Sequence, residues 1–201
     1  GTGLGRIMTW SPSQIHSSQP WIAQYDGWLS PEETELIMHW KFDLVPGRMR
    51  HRSGELALSP IRRCMTHRVE FGHDDYFDSL TQRVAAFFNV ALNHVEPMPL
   101  VKYSSGDYFD CHSDLTDGFQ TQRIATMIMY LNDDFQGGCT YFPKFNLRIQ
   151  PRRGSALVYY YDVANPLVHQ GETVVAGTKQ ILTAFVRNGE FSPADRQSVR
   201  Y

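Results

Sequence analysis

Hydrophobic positions recur along this chain with two different periods. In the first half, apolar residues fall three and four apart within long stretches; beyond Pro97 they come in short runs broken by Gly and Pro. The first helical signal starts at Ser30, a good N-cap, with Pro31 at the first helical position and Glu33 completing a capping box. Leu36, Ile37 and Trp40 make one apolar face, and Pro46-Gly47 ends the element. A second helix is predicted from about Asp75 to Ala91, because Phe77, Leu80, Val84, Phe87 and Phe88 follow the helical period. Asp74 or Asp75 caps it. Residues 9–24, with Pro12 and Pro20, read as a loop or edge segment. Residues 47–63, "GRMRHRSGELALSPIRR", read as a mobile basic loop, of the kind that covers a site or merely connects elements.

After Pro97 come eight β-rich runs: "PLVKY", "YFDCH", "RIATMIMYL", "CTYF", "LRIQ", "SALVYYY", "PLVHQ" and "KQILTAFVR". Short strands punctuated by turn residues predict a sandwich or jelly roll. The expected class is therefore mainly β with flanking helices (α+β), a jelly-roll core packed on N-terminal helices. The expected organisation is one domain: a helical and loop support region over 1–95, a core over 96–190 and a tail over 191–201.

Composition narrows the function. The net charge is -2 and no basic cluster carries interleaved aromatics, so nucleic acid is not an expected partner. No apolar run approaches the ~18–20 residues a bilayer span needs, so no membrane role is expected. "GTGLGRIMTW" has no apolar signal core. Met8 is a candidate native start, with residues 1–7 an added leader, although a removed signal would leave no trace. Cys64, Cys111 and Cys139 form no CxxC pair, and an odd count favours a reducing compartment, so the expected location is cytoplasmic. A metal site would then rest on His and carboxylates.

Three His-x-acid pairs occur: His73/Asp75, His94/Glu96 and His112/Asp114. The pattern alone is weak, since about one match arises by chance. The first pair sits at a helix start, where capping explains the acid, and the second falls in a link with no strand around it. His112 and Asp114 follow the alternating run "DYFDC", and in a strand residues two apart project from one face. His169 is the only other histidine in the β-rich half. Two histidines and one carboxylate leave coordination positions open, which suits Fe(II) oxygen chemistry better than a closed structural zinc. A half-buried His169 beside a surface His112/Asp114 pair is the competing reading.

From about residue 96 to 190 the chain resembles the prolyl 4-hydroxylase branch of the 2-oxoglutarate and Fe(II)-dependent dioxygenases. "VKYSSGDYFDCHSD" is similar to that family's strand ending in His-x-Asp. "QRIATMIMYLND" resembles its arginine-bearing apolar strand, "GGCTYFP" its Gly-Gly-x-Thr-x-Phe-Pro, and "PRRGSALVYY" its basic turn and following strand. "VHQGETVVAGTK" supplies the distal histidine and, ten positions on, the family's lysine. Five motifs in order make the signal specific. The first 95 residues match only loosely.

The resemblance implies a double-stranded β-helix and a set of roles. His112, Asp114 and His169 become the iron ligands, and a carboxylate at 114 favours hydroxylation over halogenation. Lys179 pairs with the far carboxylate of 2-oxoglutarate, because a buried charge needs a partner. Tyr103 and Thr140 hydrogen-bond the same cosubstrate. Arg123 sits near the substrate or reacting centre, and Phe109 and Phe185 line the pocket. Gly137 and Gly138 serve a tight turn. The implied reaction couples C–H hydroxylation to oxidative decarboxylation of 2-oxoglutarate, giving succinate and CO2, with Fe(II) and O2 required and ascorbate a candidate accessory.

The first-choice substrate is peptidyl proline. The segments that would clamp a peptide are 47–63 and 115–122, although neither has a peptide-groove pattern in its sequence. A free amino acid or another small metabolite is the alternative. A non-redox, cupin-like metal protein and an interaction protein on a degenerate oxygenase fold complete the readings the residues leave open.

Overall fold

The computed structural model describes residues 10–50, 55–117, 119–192 and 194–195. Met8, residues 51–54 of the basic segment, Gly118 and most of the tail lie outside the described residues. The chain opens with strands β1 (Gln14–Ser18) and β2 (Trp21–Tyr25), then helix α1 (Pro31–His39). Short strands β3 (Val45–Pro46), β4 (Met49–Arg50), β5 (Leu56–Ala57) and β6 (Arg62–Arg63) lead to β7 (Met65–Val69) and helix α2 (Asp75–Phe88). The second half runs β8 (Met98–Tyr103), β9 (Tyr108–His112), β10 (Arg123–Tyr130), β11 (Gln136–Gly137) and β12 (Thr140–Phe142). It continues with β13 (Leu147–Ile149), β14 (Ala156–Tyr160), β15 (His169–Gly171), β16 (Val174–Ala176) and β17 (Lys179–Arg187).

An eight-stranded sheet has the order β1-β2-β14-β10-β17-β8-β7-β3, and a five-stranded sheet the order β13-β12-β15-β9-β6. All the pairings are antiparallel. The central strands of the large sheet are covered on both faces, and the period of two sorts their side chains. Ala125, Met127 and Met129 of β10, Ala156 and Val158 of β14, and Leu182, Ala184 and Val186 of β17 pack in one cluster with Ile37 of α1 and Phe77, Leu80 and Val84 of α2. The intervening Ile128, Tyr130, Leu157, Tyr159 and Ile181 join Val101, Phe142, Ile149 and Val174 in a second cluster between the sheets. The site opens inside that second layer.

Both helices begin as their sequences dictate. The Ser30 Oγ accepts from the Glu33 amide at 3.1 Å, and the Glu33 carboxylate accepts from the Ser30 amide at 2.9 Å. Asp74 is the cap of α2, accepting from the Tyr76 amide at 2.8 Å. Their ends differ from expectation. α1 stops at His39, well before Pro46-Gly47, with Trp40 already extended and packed on Phe42 and Phe77. Leu36 is 42% exposed, so Ile37 alone of the predicted face is fully buried within the helix. α2 stops at Phe88, because Asn89 takes the left-handed conformation (φ 53°) that closes a helix.

Of the loop-or-edge reading for residues 9–24, the edge half holds: the segment carries the hairpin β1–β2, with β1 the outer strand and β2 paired with β14 to extend the large sheet. Its Pro residues punctuate the hairpin rather than exclude it. β7, unforeseen, lies between β8 and β3 in the same sheet. Within 47–63, β4 pairs with β5 and β6 pairs with β9, so that segment carries strand structure at the mouth of the site.

Candidate active site

β9 and β15 are neighbours in the five-stranded sheet, and their register sets His112 opposite His169. Fifty-seven residues of separation therefore vanish in one antiparallel pair. Asp114 lies just past the end of β9. The candidate ligand atoms of His112, Asp114 and His169 all fall within 4.8 Å of one another, and among the described residues this is the single such group. His112 Nε2 is 3.6 Å from Asp114 Oδ1, and His169 Nε2 is 3.6 Å from Asp114 Oδ2.

The surroundings fit a metal. His112 Nδ1 lies 2.7 Å from the Asp110 carbonyl and His169 Nδ1 lies 3.0 Å from the Leu167 carbonyl. Each Nδ1–H donates there, which leaves both Nε2 lone pairs aimed at the centre. Burial drives the His112 pKa down to about 3, so the imidazole is neutral and ready to ligate. Burial alone would raise the Asp114 pKa, but its charged and hydrogen-bonding neighbours, Arg123 and Thr126 among them, hold it below the ordinary carboxylate value. Thr126 Oγ1 and the Tyr159 hydroxyl both donate to Asp114 Oδ2, at 2.7 and 2.8 Å. Two donors on one oxygen leave Oδ1 as the freer ligand atom. Tyr159 and Thr126 were not singled out by sequence; the alternation of β14 and β10 was their only signal. The Tyr159 hydroxyl also lies 3.0 Å from His169 Nε2.

Phe109 stacks on His112 with ring centroids 3.5 Å apart and planes 8° apart, fixing that ring. Phe185 lies under Arg123, whose guanidinium carbon is 3.6 Å from the ring centroid. Both phenylalanines line the cavity, as does Arg123. Arg123 is not a solvated strand-entry charge: it forms a bidentate pair with Glu96 at 2.8 and 2.7 Å and donates to the Asp114 carbonyl at 3.2 Å. Burial opposes its charge, yet Glu96 raises its pKa above the ordinary value. Glu96 is therefore engaged by arginine rather than by His94, which lies in a single 3-10 turn over Leu92–His94. His73, just before the Asp74 cap, packs among the rings of Trp40, Phe42 and Phe77 and belongs to no ligand group among the described residues.

Deeper in, Lys179 heads β17 with 3% of its surface exposed. Its Nζ donates to the Gly138 carbonyl at 2.7 Å and, among the described residues, has no carboxylate in ion-pair contact. Burial lowers its pKa to about 8 from 10.5. Tyr103 pairs across from it in β8, with the ammonium 5.4 Å from the ring centroid. Thr140 Oγ1 and the Tyr130 hydroxyl are 2.6 Å apart, and Tyr130 is another residue that sequence reading passed over. Burial raises the pKa values of Tyr103 and Tyr130, so both keep their protons. Gly137 and Gly138 take positive φ values (75° and 69°) as a tight turn requires, and Gly138 also supplies the carbonyl that holds Lys179. One cavity of about 840 Å³ joins Lys179, Tyr103 and Thr140 to the three ligand candidates, Arg123 and both phenylalanines. A buried cation with no counter-ion among the described residues, opening onto a three-ligand cluster, can take an anion that also reaches the metal.

Comparison with known proteins agrees with this geometry. The family model described as the 2OG-Fe(II) oxygenase superfamily matches residues 98–187. An Arabidopsis thaliana protein named "Probable prolyl 4-hydroxylase 3" is 28% identical over 221 residues, covering 94% of this chain and 76% of its own length. An Acanthamoeba polyphaga mimivirus relative, also named for prolyl 4-hydroxylase, is 32% identical over 55% of this chain, which spans only 52% of that protein. Among solved structures, the viral collagen prolyl hydroxylase of Paramecium Bursaria Chlorella virus-1, as its 2OG complex, has a TM-score of 0.63 at 23% identity, covering 83% of this chain and 95% of its own. A Trichoplax adhaerens prolyl hydroxylase bound to a hypoxia inducible factor peptide fragment has a TM-score of 0.64 at 15% identity, covering 90% of this chain and 87% of its own. These two show the shared fold. Residues 98–187 match the 2OG-Fe(II) oxygenase superfamily and the chain is similar over most of its length to a prolyl 4-hydroxylase relative, which with the His-Asp-His cluster indicates a 2-oxoglutarate-dependent dioxygenase that uses Fe(II), 2-oxoglutarate and O2.

Proposed function

We propose that this chain hydroxylates proline within a peptide, with His112, Asp114 and His169 holding Fe(II). The observation that carries the reading is Lys179: a buried ammonium with no carboxylate partner among the described residues, in the same cavity as the ligand cluster. The family's cosubstrate is a dicarboxylate, and such a cation is what its far end requires. When bound, the iron and 2-oxoglutarate supply the oxidising chemistry. The protein's part is to bind, orient and keep the site dry. His112 and His169 present fixed lone pairs, and Asp114 Oδ1 completes the set while Thr126 and Tyr159 occupy Oδ2. Lys179 holds the distal carboxylate, with the hydroxyls of Thr140, Tyr130 and Tyr103 around it. Val101, Ile128 and Ile181 wall the cosubstrate space with apolar surface, which strengthens each polar contact made there. Arg123, clamped by Glu96 over Phe185, offers a directed donor where substrate would enter.

Peptidyl proline is supported by the relatives' names and by the peptide held in the Trichoplax structure. The cavity volume, about 840 Å³, exceeds what a small dicarboxylate fills, and short strands β4–β6 rim its mouth. The competing substrate is a free amino acid or small metabolite. The deciding experiment measures succinate release over proline-containing peptides and free amino acids, with His112→Ala as the blank. Stimulation by free amino acids alone would overturn the peptide reading. A visible Fe(II)–2-oxoglutarate band surviving in His112→Ala would overturn the ligand assignment.

A further inference from the structure

One side chain outside the ligand set is built into the wall of the cavity. Arg187, at the end of β17, is completely buried. Its Nη1 donates to the Thr121 carbonyl at 2.6 Å and its Nη2 to Thr116 Oγ1 at 3.1 Å. Those acceptors belong to the segment that carries Leu115, Thr116, Asp117 and Phe119 into the cavity lining. Phe119 covers one side of the guanidinium, with its centroid 4.7 Å from the guanidinium carbon, and Phe191 lies at 5.2 Å. The segment's own ends are tied by Gln122, whose amide nitrogen donates to the Thr116 carbonyl at 2.8 Å while its oxygen accepts from the Thr116 amide at 3.0 Å.

The same guanidinium reaches back to the iron side. Arg187 Nε is 2.9 Å from Glu96 Oε1, an ion-pair contact off line for a hydrogen bond. That oxygen also takes the Arg123 Nε bond, and Arg123 donates to the Asp114 carbonyl. Glu96 is itself 3% exposed. One dry carboxylate therefore joins the ligand loop to the loop that walls the substrate space.

We propose that Arg187 is a positioning residue: a latch that seats the wall formed by Leu115–Asp117 and Phe119–Gln122, with Glu96 as the anchor common to that wall and to Asp114. The consequence for turnover rests on the reading above that substrate occupies this cavity. Without the latch the wall loses two charge-assisted bonds and its cation–aromatic contact. Substrate would then meet an unformed surface and have to order it on binding, while Lys179 and the ligands are untouched.

The test is hydrogen–deuterium exchange on Fe(II)- and 2-oxoglutarate-loaded protein without substrate, comparing the native chain with Arg187→Met. The expected result is at least tenfold faster exchange at the 119–122 amides, unchanged protection in β10, β14 and α2, and an unchanged visible band. In succinate release, KM for a proline-containing peptide should rise at least tenfold with KM for 2-oxoglutarate unaltered; Arg187→Lys, which keeps the charge but not the fork, should recover part of it. Unchanged exchange at 119–122 would overturn the latch, as would loss of protection throughout the sheet. Should Arg187→Met fail to fold, Thr116→Val decides: it removes an acceptor of the latch without burying a lone charge, and unaltered exchange at 119–122 in that variant refutes the proposal. If no peptide supports turnover, the substrate reading fails while the exchange comparison still decides the latch.

Discussion

Lys179 gives the sharpest test of the site. Its folded pKa of about 8 lies below the ordinary 10.5 because burial penalises the ammonium. The difference corresponds to about 3 kcal/mol set against the charged form. Coulombic contributions from Cys139 and Glu172 oppose the shift without cancelling it. A dicarboxylate at Nζ supplies the missing partner and restores the charge, so binding is linked to proton uptake. At pH 7 about nine-tenths of free Lys179 is already protonated, and uptake is about 0.1 proton; at pH 9 it is about 0.9. Affinity for 2-oxoglutarate should therefore fall about tenfold between pH 7 and 9. Anaerobic titration calorimetry in two buffers of different ionisation heat measures both quantities. Lys179→Met should weaken 2-oxoglutarate at least about 100-fold, the cost of an unpaired buried carboxylate, and abolish the linked uptake. Equal affinity at pH 7 and 9 in the native chain, or the same uptake in Lys179→Met, would refute the reasoning. The sign extends to folding. Between pH 8 and 10.5 the unfolded chain holds a proton that the folded chain has released, so this residue's contribution to stability rises with pH across that window.

Tyr159→Phe removes one of two donors from Asp114 Oδ2; Fe(II) affinity, followed by anaerobic titration, should weaken by about tenfold, as loss of a ligand-orienting hydrogen bond does. No change there would mean that Thr126 alone fixes the carboxylate. Gly138→Ala places a Cβ 2.9 Å from Phe135 and 3.2 Å from the Lys179 stem at a φ of +69°. It should lower stability by about 1–3 kcal/mol in urea unfolding and weaken 2-oxoglutarate binding at the same time. Ser30→Ala, far from the site, should cost about 1 kcal/mol through the lost cap while leaving 2-oxoglutarate affinity unaltered.

Much of this protein is written in local pattern. The capping box at Ser30 and Glu33, the α2 face and the core strands of the second half all follow from spacing that acts within a few residues, so they can be read without knowing the fold. The His-x-Asp pair was legible for the same reason, and the ordered family motifs carried His169, Lys179, Tyr103 and Thr140 with it. What tertiary structure decided was every relation across strands. Glu96 reads as a weak metal candidate beside His94, but Val95 bridges to Val186 and the Glu96 amide bonds to the Phe185 carbonyl, which delivers its carboxylate to Arg123 and Arg187 instead. Tyr159 and Tyr130 read as apolar strand residues until the two sheets face each other and bring acceptors to their hydroxyls. Residues 9–24 could be read no further than a loop or edge segment, because their apolar positions are few, and the hairpin β1–β2 gains its place when β2 pairs with β14. Sequence specifies which side chains share a face, because backbone geometry is local; only the packed sheets specify which face meets which, because that choice is made by contacts between residues far apart along the chain.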